Sequence, residues 1–203
     1  MVTHTFIDIG IEEAKDLADL VGIEYDLKSA IWLSELLLKQ FETSSYDGTL
    51  IDAITTAILV RYSRPFVTGA RKKLRIEDID TLNDNEKSKH KWLIEIRNKH
   101  IAHSVNTFEE NRVIGYYILE HAEKGITGIS VQHGRIIGLS SEDAKSVIAI
   151  SKKVLDHVSK LIEVEKAKVL SIVGQRNIKD LLKQSKQSAF SPDIRRPNKR
   201  RKQ

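Results

Sequence analysis

The stretch SSEDAKSVIAISKKVLDHVSKLI, residues 140–162, decides how the rest of the chain is read. Ala144, Val147, Ile148, Ser151, Val154, Leu155, Val158, Leu161 and Ile162 recur every three or four positions, the period of a helix with one apolar face. Ser140 with Asp143 three residues on resembles a capping box, in which each side chain satisfies an amide left open by the first turn. Such a stripe is buried against other helices, and the same period recurs elsewhere in the chain. Residues 49–62 use Ile51, Ile54, Ile58 and Tyr62. Leu27, Ala30, Ile31, Ser34, Leu37, Leu38 and Phe41 predict a helix that Asp26 caps. Ile11, Ala14, Leu17, Ala18 and Val21 predict a shorter one that stops near Gly22. Further helices are expected over residues 86–102 and 175–186. Trp32 and Trp92 fall in the apolar phase of their helices, which predicts core packing rather than base stacking.

Two segments depart from this period. Pro65 and Gly69 open a long connection that reaches to about residue 85. Residues 112–119, 126–131 and 135–139 are rich in β-branched and aromatic side chains, with Gly125 and His133-Gly134 as turns between them. They predict a small antiparallel β-meander inserted at about residues 110–139. From Ser188 onward there is little to bury, and a disordered tail is expected. The expected fold is mainly α. It is an antiparallel helical bundle over residues 1–187, with a small antiparallel β-meander insertion and a disordered basic C-terminal tail over residues 188–203.

Charge is distributed unevenly. The formal net charge is +5, but six of the 33 basic residues and one of the 28 acidic residues lie between Asp193 and Gln203, which leaves 27 of each elsewhere. The body is neutral, and the excess belongs to the tail, where it can bind phosphates without sequence preference or meet an acidic partner. The absence of cysteine excludes disulfides, thiol catalysis and cysteine-based zinc sites, and it fits a reducing compartment. No secretory leader and no apolar run long enough for a bilayer is read, so a cytoplasmic protein without a membrane partner is expected.

The segment that carries chemistry is IRNKHIAHS, residues 96–104. A guanidinium, an amide and two imidazoles fall within seven positions where a helix must end. Arg97 can bind a phosphate by charge-assisted hydrogen bonds, and a histidine beside it can move protons near neutral pH. Metal-free RNA cleavage needs both parts: a base for the ribose 2′-OH and a cation for the phosphorane.

Arg97, Asn98 and His103, with Ala102 and Ser104 around the histidine, resemble the signature of the HEPN superfamily of helical-bundle proteins. The RYSRPF stretch, residues 61–66, is similar to abortive-infection members of that superfamily. The resemblance implies a HEPN-like bundle and a homodimer that brings two motifs into one cleft. It further implies a metal-independent endoribonuclease acting on RNA, of the kind found in toxin–antitoxin and antiviral defence systems, where an antitoxin protein is a further partner. On that resemblance His103 is the acid/base, Arg97 the phosphate clamp and Asn98 an orienting group, with no cofactor. The alternative it leaves is a non-catalytic HEPN-like module in which the same residues hold RNA or a partner protein.

Geometry constrains this reading. At about 100° per residue, Arg97 and His103 stand about 120° apart on an ideal α-helix. They converge only if the helix distorts or ends near Ala102, or if a second subunit completes the site. The plain rival is a helix C-terminus flanked by cations that suit its dipole. His100 is read as a substrate contact or a surface histidine. His90, His100 and His103 lack the i, i+4 spacing of a zinc site. Residues 61–75 hold six basic residues and no acid, with Tyr62 and Phe66 among them. Arg61, Arg64, Arg71 and Lys72 are therefore read either as an RNA-binding surface or as partners of the acids between Ile76 and Glu86.

Overall fold

The computed structural model describes residues 7, 9–43, 47–69, 71–101, 109–135 and 138–184. The expected basic tail, together with Ala102, His103 and Ser104, lies outside them. Helix α1 spans Lys15–Glu42, α2 Gly48–Ser63, α3 Asp84–Ile96, α4 Ser141–Gly174 and α5 Ile178–Gln184. Strands β1, Glu109–Tyr116, and β2, Gly128–Arg135, form one antiparallel hairpin between α3 and α4.

Local chemistry sets the helix starts. Asp47 accepts from the amides of Thr49 and Leu50 at 2.9 and 3.1 Å. Asn83 with Glu86, and Ser140 with Asp143, form complete capping boxes, so the box expected at Ser140 is present. Each cap contributes about 1 kcal/mol by satisfying first-turn donors. The apolar stripes expected for α2 and α4 are buried as well, including Ile51, Ile54, Ile58, Tyr62, Val147, Val154, Val158 and Ile162.

The first half of the chain differs from expectation. One unbroken helix replaces the two shorter ones, because Leu20, Ile23, Leu27, Ala30, Ser34 and Leu37 form a continuous seam of three- and four-residue steps. Asp26 lies inside that helix at 1% exposure and caps nothing. Gly22 does not stop it either. A Cβ there would stand 3.0 Å from the Arg71 guanidinium, so the missing side chain makes room for an arginine to lie across the helix. The seam also leaves Trp32 out of phase and 62% exposed, which corrects the core position expected for it.

The core forms where α1 packs along α4 and α2, and α3 completes it against α2 and α4. Arg176, just past α4, pairs with Glu13, just before α1, at 3.2 Å, so these two long helices run antiparallel. The connection after α2 is folded down rather than loose. Phe66, Leu74, Ile76, Ile79 and Leu82 are all buried in the core. Two strands, rather than a three-stranded meander, make up the described sheet. The segment expected as a third strand begins with Arg135, the last residue of β2, and Gly138 and Leu139 dock on α2 instead. No described helix is long and apolar enough to cross a membrane.

His90 on α3 belongs to the core. Its Nδ1 lies 2.9 Å from the Tyr62 hydroxyl, and its ring meets Phe66 edge-on with centroids 4.5 Å apart. Burial lowers its pKa to about 4 and raises that of the Tyr62 phenol. The unfolded chain, with an ordinary imidazole near pH 6.5, then binds more protons than the fold between about pH 6.5 and 4. Stability should therefore fall as pH drops through that window, by about 2–3 kcal/mol from this group. Urea unfolding followed against pH checks this, and His90→Gln should flatten that part of the profile.

Candidate functional site

Helix α3 leaves α geometry at the first residue of the candidate motif. Arg97–Ile101 form a π-helical turn continuous with α3, and the Arg97 amide is shared between the carbonyls of Leu93 and Ile94. Such turns are rare and are frequent at functional sites, because they turn side chains out of the phase an α-helix imposes. Ile96, immediately before, is anchored in the core.

Arg97 and Asn98 are brought together. Arg97 Nη1 donates to Asn98 Oδ1 at 2.9 Å, and both side chains are half-buried. Among the described residues, Arg97 makes no ion pair with a carboxylate, so an amide orients its guanidinium without cancelling its charge. His103, the proposed acid/base, lies outside the described residues.

His100 is half-buried and lines a pocket of about 200 Å³ with Asp52, Thr55, Leu59, Trp92, Ile101 and Asp143 among its walls. Gly138 seals the α2 side. A Cβ there would come within 2.7 Å of Ile51 Cγ2 and 2.8 Å of Thr55 Oγ1, so only glycine lets the chain pass this close. Leu139 N then donates to Thr55 Oγ1 at 3.1 Å. Asp143 is committed elsewhere. Burial pushes its pKa up, but hydrogen bonds from Lys89 and Ser140 outweigh this and hold it below the usual range. Lys89 also lies over the Trp92 ring, 3.7 Å from its centroid. Among the described residues, no group of three His, Asp or Glu side chains is placed to hold a metal ion.

The basic residues of the connection gather elsewhere. Arg61 Nη1 and Arg64 Nη1 donate to Asp26 Oδ1 at 2.8 and 3.2 Å, and Arg71 Nη1 donates to Asp26 Oδ2 at 2.7 Å. Lys72 Nζ pairs with Asp16 at 2.7 Å, and its main-chain N–H donates to Asp19. The hydrogen bond from the Lys72 ammonium draws the Asp16 carboxyl below the usual range. The acids engaged are thus those of α1. Of the acids between Ile76 and Glu86, Asp78 alone pairs with a described residue of the stretch, Arg75, at 4.0 Å.

Arg61 on α2 and Arg64, which follows its last residue in helical conformation, stand about 120–180° round from Asp52, Thr55 and Leu59. The structure therefore gathers Arg61, Arg64, Arg71 and Lys72 around the acids of α1, pairs Arg97 with Asn98, and sets His100 in a pocket against α2 that neither of those two lines. Local sequence signals do not single out Asp26 as the organiser of the arginines, because Gly22 and Asp26 carry the usual marks of a helix break. An unbroken seam from Leu20 to Leu37 was the signal that could have found it.

No protein-family model, no curated protein and no solved structure matches this chain.

Replacing Asp26 by Asn keeps its shape but removes the counter-charge of three guanidiniums. The unfolding free energy should drop by about 3 kcal/mol, at the low end for a broken buried pair because the arginines reach water. Urea denaturation measures this directly, and a loss under about 1 kcal/mol would contradict the assignment.

Proposed function

We propose that the chain is a HEPN-like, metal-independent endoribonuclease whose site is built on the π-helical turn at the end of α3. The observation that carries this reading is that turn itself. The motif needed a distorted helix, and the helix departs from α geometry at Arg97. Arg97, steadied by Asn98 and free of any carboxylate among the described residues, is suited to a phosphodiester and to the extra charge of its phosphorane.

In the proposed reaction His103 removes the proton from a ribose 2′-OH, and the oxygen attacks the adjacent phosphorus. The P–O5′ bond breaks, and the leaving oxygen takes a proton. One product ends in a 2′,3′-cyclic phosphate and the other begins with a 5′-OH. His100, on the same turn, serves in this proposal as a contact for the substrate through the pocket it lines. A homodimer that sets two such turns across one cleft is part of the proposal. The hairpin offers surface for it, since Val113, Ile129 and Val131 are 60–74% exposed. The defence role and an antitoxin partner rest on the family resemblance alone.

Purified protein should cut a labelled RNA pool in EDTA and leave cyclic phosphate ends. His103→Ala should lower the rate about 10²–10⁴-fold, the usual contribution of a general acid/base. Arg97→Ala should cost about 10²–10³-fold while folding is retained. Dimeric protein that binds RNA and never cuts it would instead favour the non-catalytic binding module.

A further inference from the structure

The exposed face of α1 carries a row that the bundle does not use. Val21, Tyr25, Lys28 and Trp32 follow one another at four-, three- and four-residue steps. Tyr25 is 64% and Trp32 62% exposed, the opposite of what two large aromatic rings do in a core. Lys28 lies between them and pairs with Glu24 at 2.7 Å.

Beside this row stands the arginine cluster. Three guanidiniums share the one carboxylate of Asp26, and counting Lys72 with Asp16 and Asp19 beside them, four cations face three carboxylates, which leaves one positive charge in excess. Asp19, the nearest other buried acid, accepts from the main chain of Lys72. Arg61, Arg64 and Arg71 keep 37%, 41% and 26% of their side chains exposed, so they present donors to solvent from fixed positions. Arg61 joins the two features, with its Cζ 5.8 Å from the Tyr25 ring centroid. From Arg71 over Gly22, past Arg61 at Tyr25, to Trp32, the face extends about 15 Å along the helix.

We propose that this face is a binding track for single-stranded RNA, with Tyr25 and Trp32 stacking on bases and Arg61, Arg64 and Arg71 holding the phosphates. Aromatic platforms beside ordered cations are the two components of sequence-tolerant single-strand recognition. A second copy of this chain is a poor occupant. Self-association of the face would set two arginine clusters of the same sign against each other. The track is separate from the Arg97 turn, and only the choice of RNA over DNA rests on the function proposed above.

The chain holds two tryptophans, so the face can be read by fluorescence. The full chain carrying Trp92→Phe keeps Trp32, and Trp32→Phe keeps Trp92. Each is titrated with a 12-nucleotide oligouridylate and, separately, with a hairpin-free oligothymidylate. Emission from Trp32 should be quenched saturably by either strand, while Trp92, which lines the His100 pocket, reports RNA bound at that separate site. Tyr25→Ala should weaken binding about tenfold, and Arg64→Ala should lower the salt dependence by about 0.7 in the slope of log K against log salt.

Unchanged Trp32 emission while the chain still binds oligouridylate would overturn the proposal, because the strand would then lie elsewhere. So would a dimer that Trp32→Ala converts to monomer, since the face would then belong to a protein interface. Quenching in a protein that never cuts RNA would sustain the track and remove the nuclease. Cutting without quenching would do the reverse.

Discussion

A single buried carboxylate holds the first half of this protein in register. Asp26 sits at 1% exposure in the middle of α1 and receives guanidiniums from α2, from its C-terminal end and from the connection beyond it. Burying a charge is expensive, and here the cost is offset by three charge-assisted hydrogen bonds. The arrangement fixes α2 against α1 and brings Arg71 back across Gly22. The intervening connection is then pinned close enough for Leu74, Ile76 and Ile79 to enter the core. A hydrophobic seam alone would permit sliding; a point charge with three partners from different positions does not.

Legibility in the sequence followed local signals. The capping residues of α4 and the stripes of α2 and α4 could be read because short-range periodicity and cap chemistry agree there. At the start of the chain local signals and structure differ for a physical reason. Gly22 and Asp26 carry the usual signs of a helix break, yet both serve a contact to Arg71, 45 or more residues away. Local propensity weighs about 1 kcal/mol for a mid-helix glycine, and tertiary contacts outweighed it. Trp32 stands about 160° round from the centre of the stripe that runs from Leu27 to Phe41, so the helical phase of that stripe itself puts it outside. The extra strand arose similarly: Gly138 and Leu139 look like strand residues, but their contacts with Thr55 on α2 decide their place.

The candidate site was legible as a composition, an arginine, an amide and histidines at a helix end, and not as a geometry. Ideal helical phase set Arg97 and His103 apart, and no residue of the segment announces a π turn. The turn follows where α3 ends, between the core anchor Ile96 and the half-buried Ile101 that packs against the core. The two cationic features of the molecule have different characters as a result. The arginines at Asp26 are ordered by a carboxylate and sit beside exposed aromatic rings. Arg97 is ordered by an amide and sits on a distorted helix end.

In the proposed reaction the turn at Arg97 directs attack by a ribose 2′-oxygen on its own phosphodiester. The most direct measurement takes one RNA oligonucleotide that the protein cuts at a mapped position and compares it, in EDTA, with the same strand carrying a single 2′-deoxynucleotide on the 5′ side of that bond. The deoxy strand should stay bound and uncut at that position, while cutting elsewhere continues. Undiminished cutting at the deoxy position would contradict that reaction, because the nucleophile would then have to be water or a protein group.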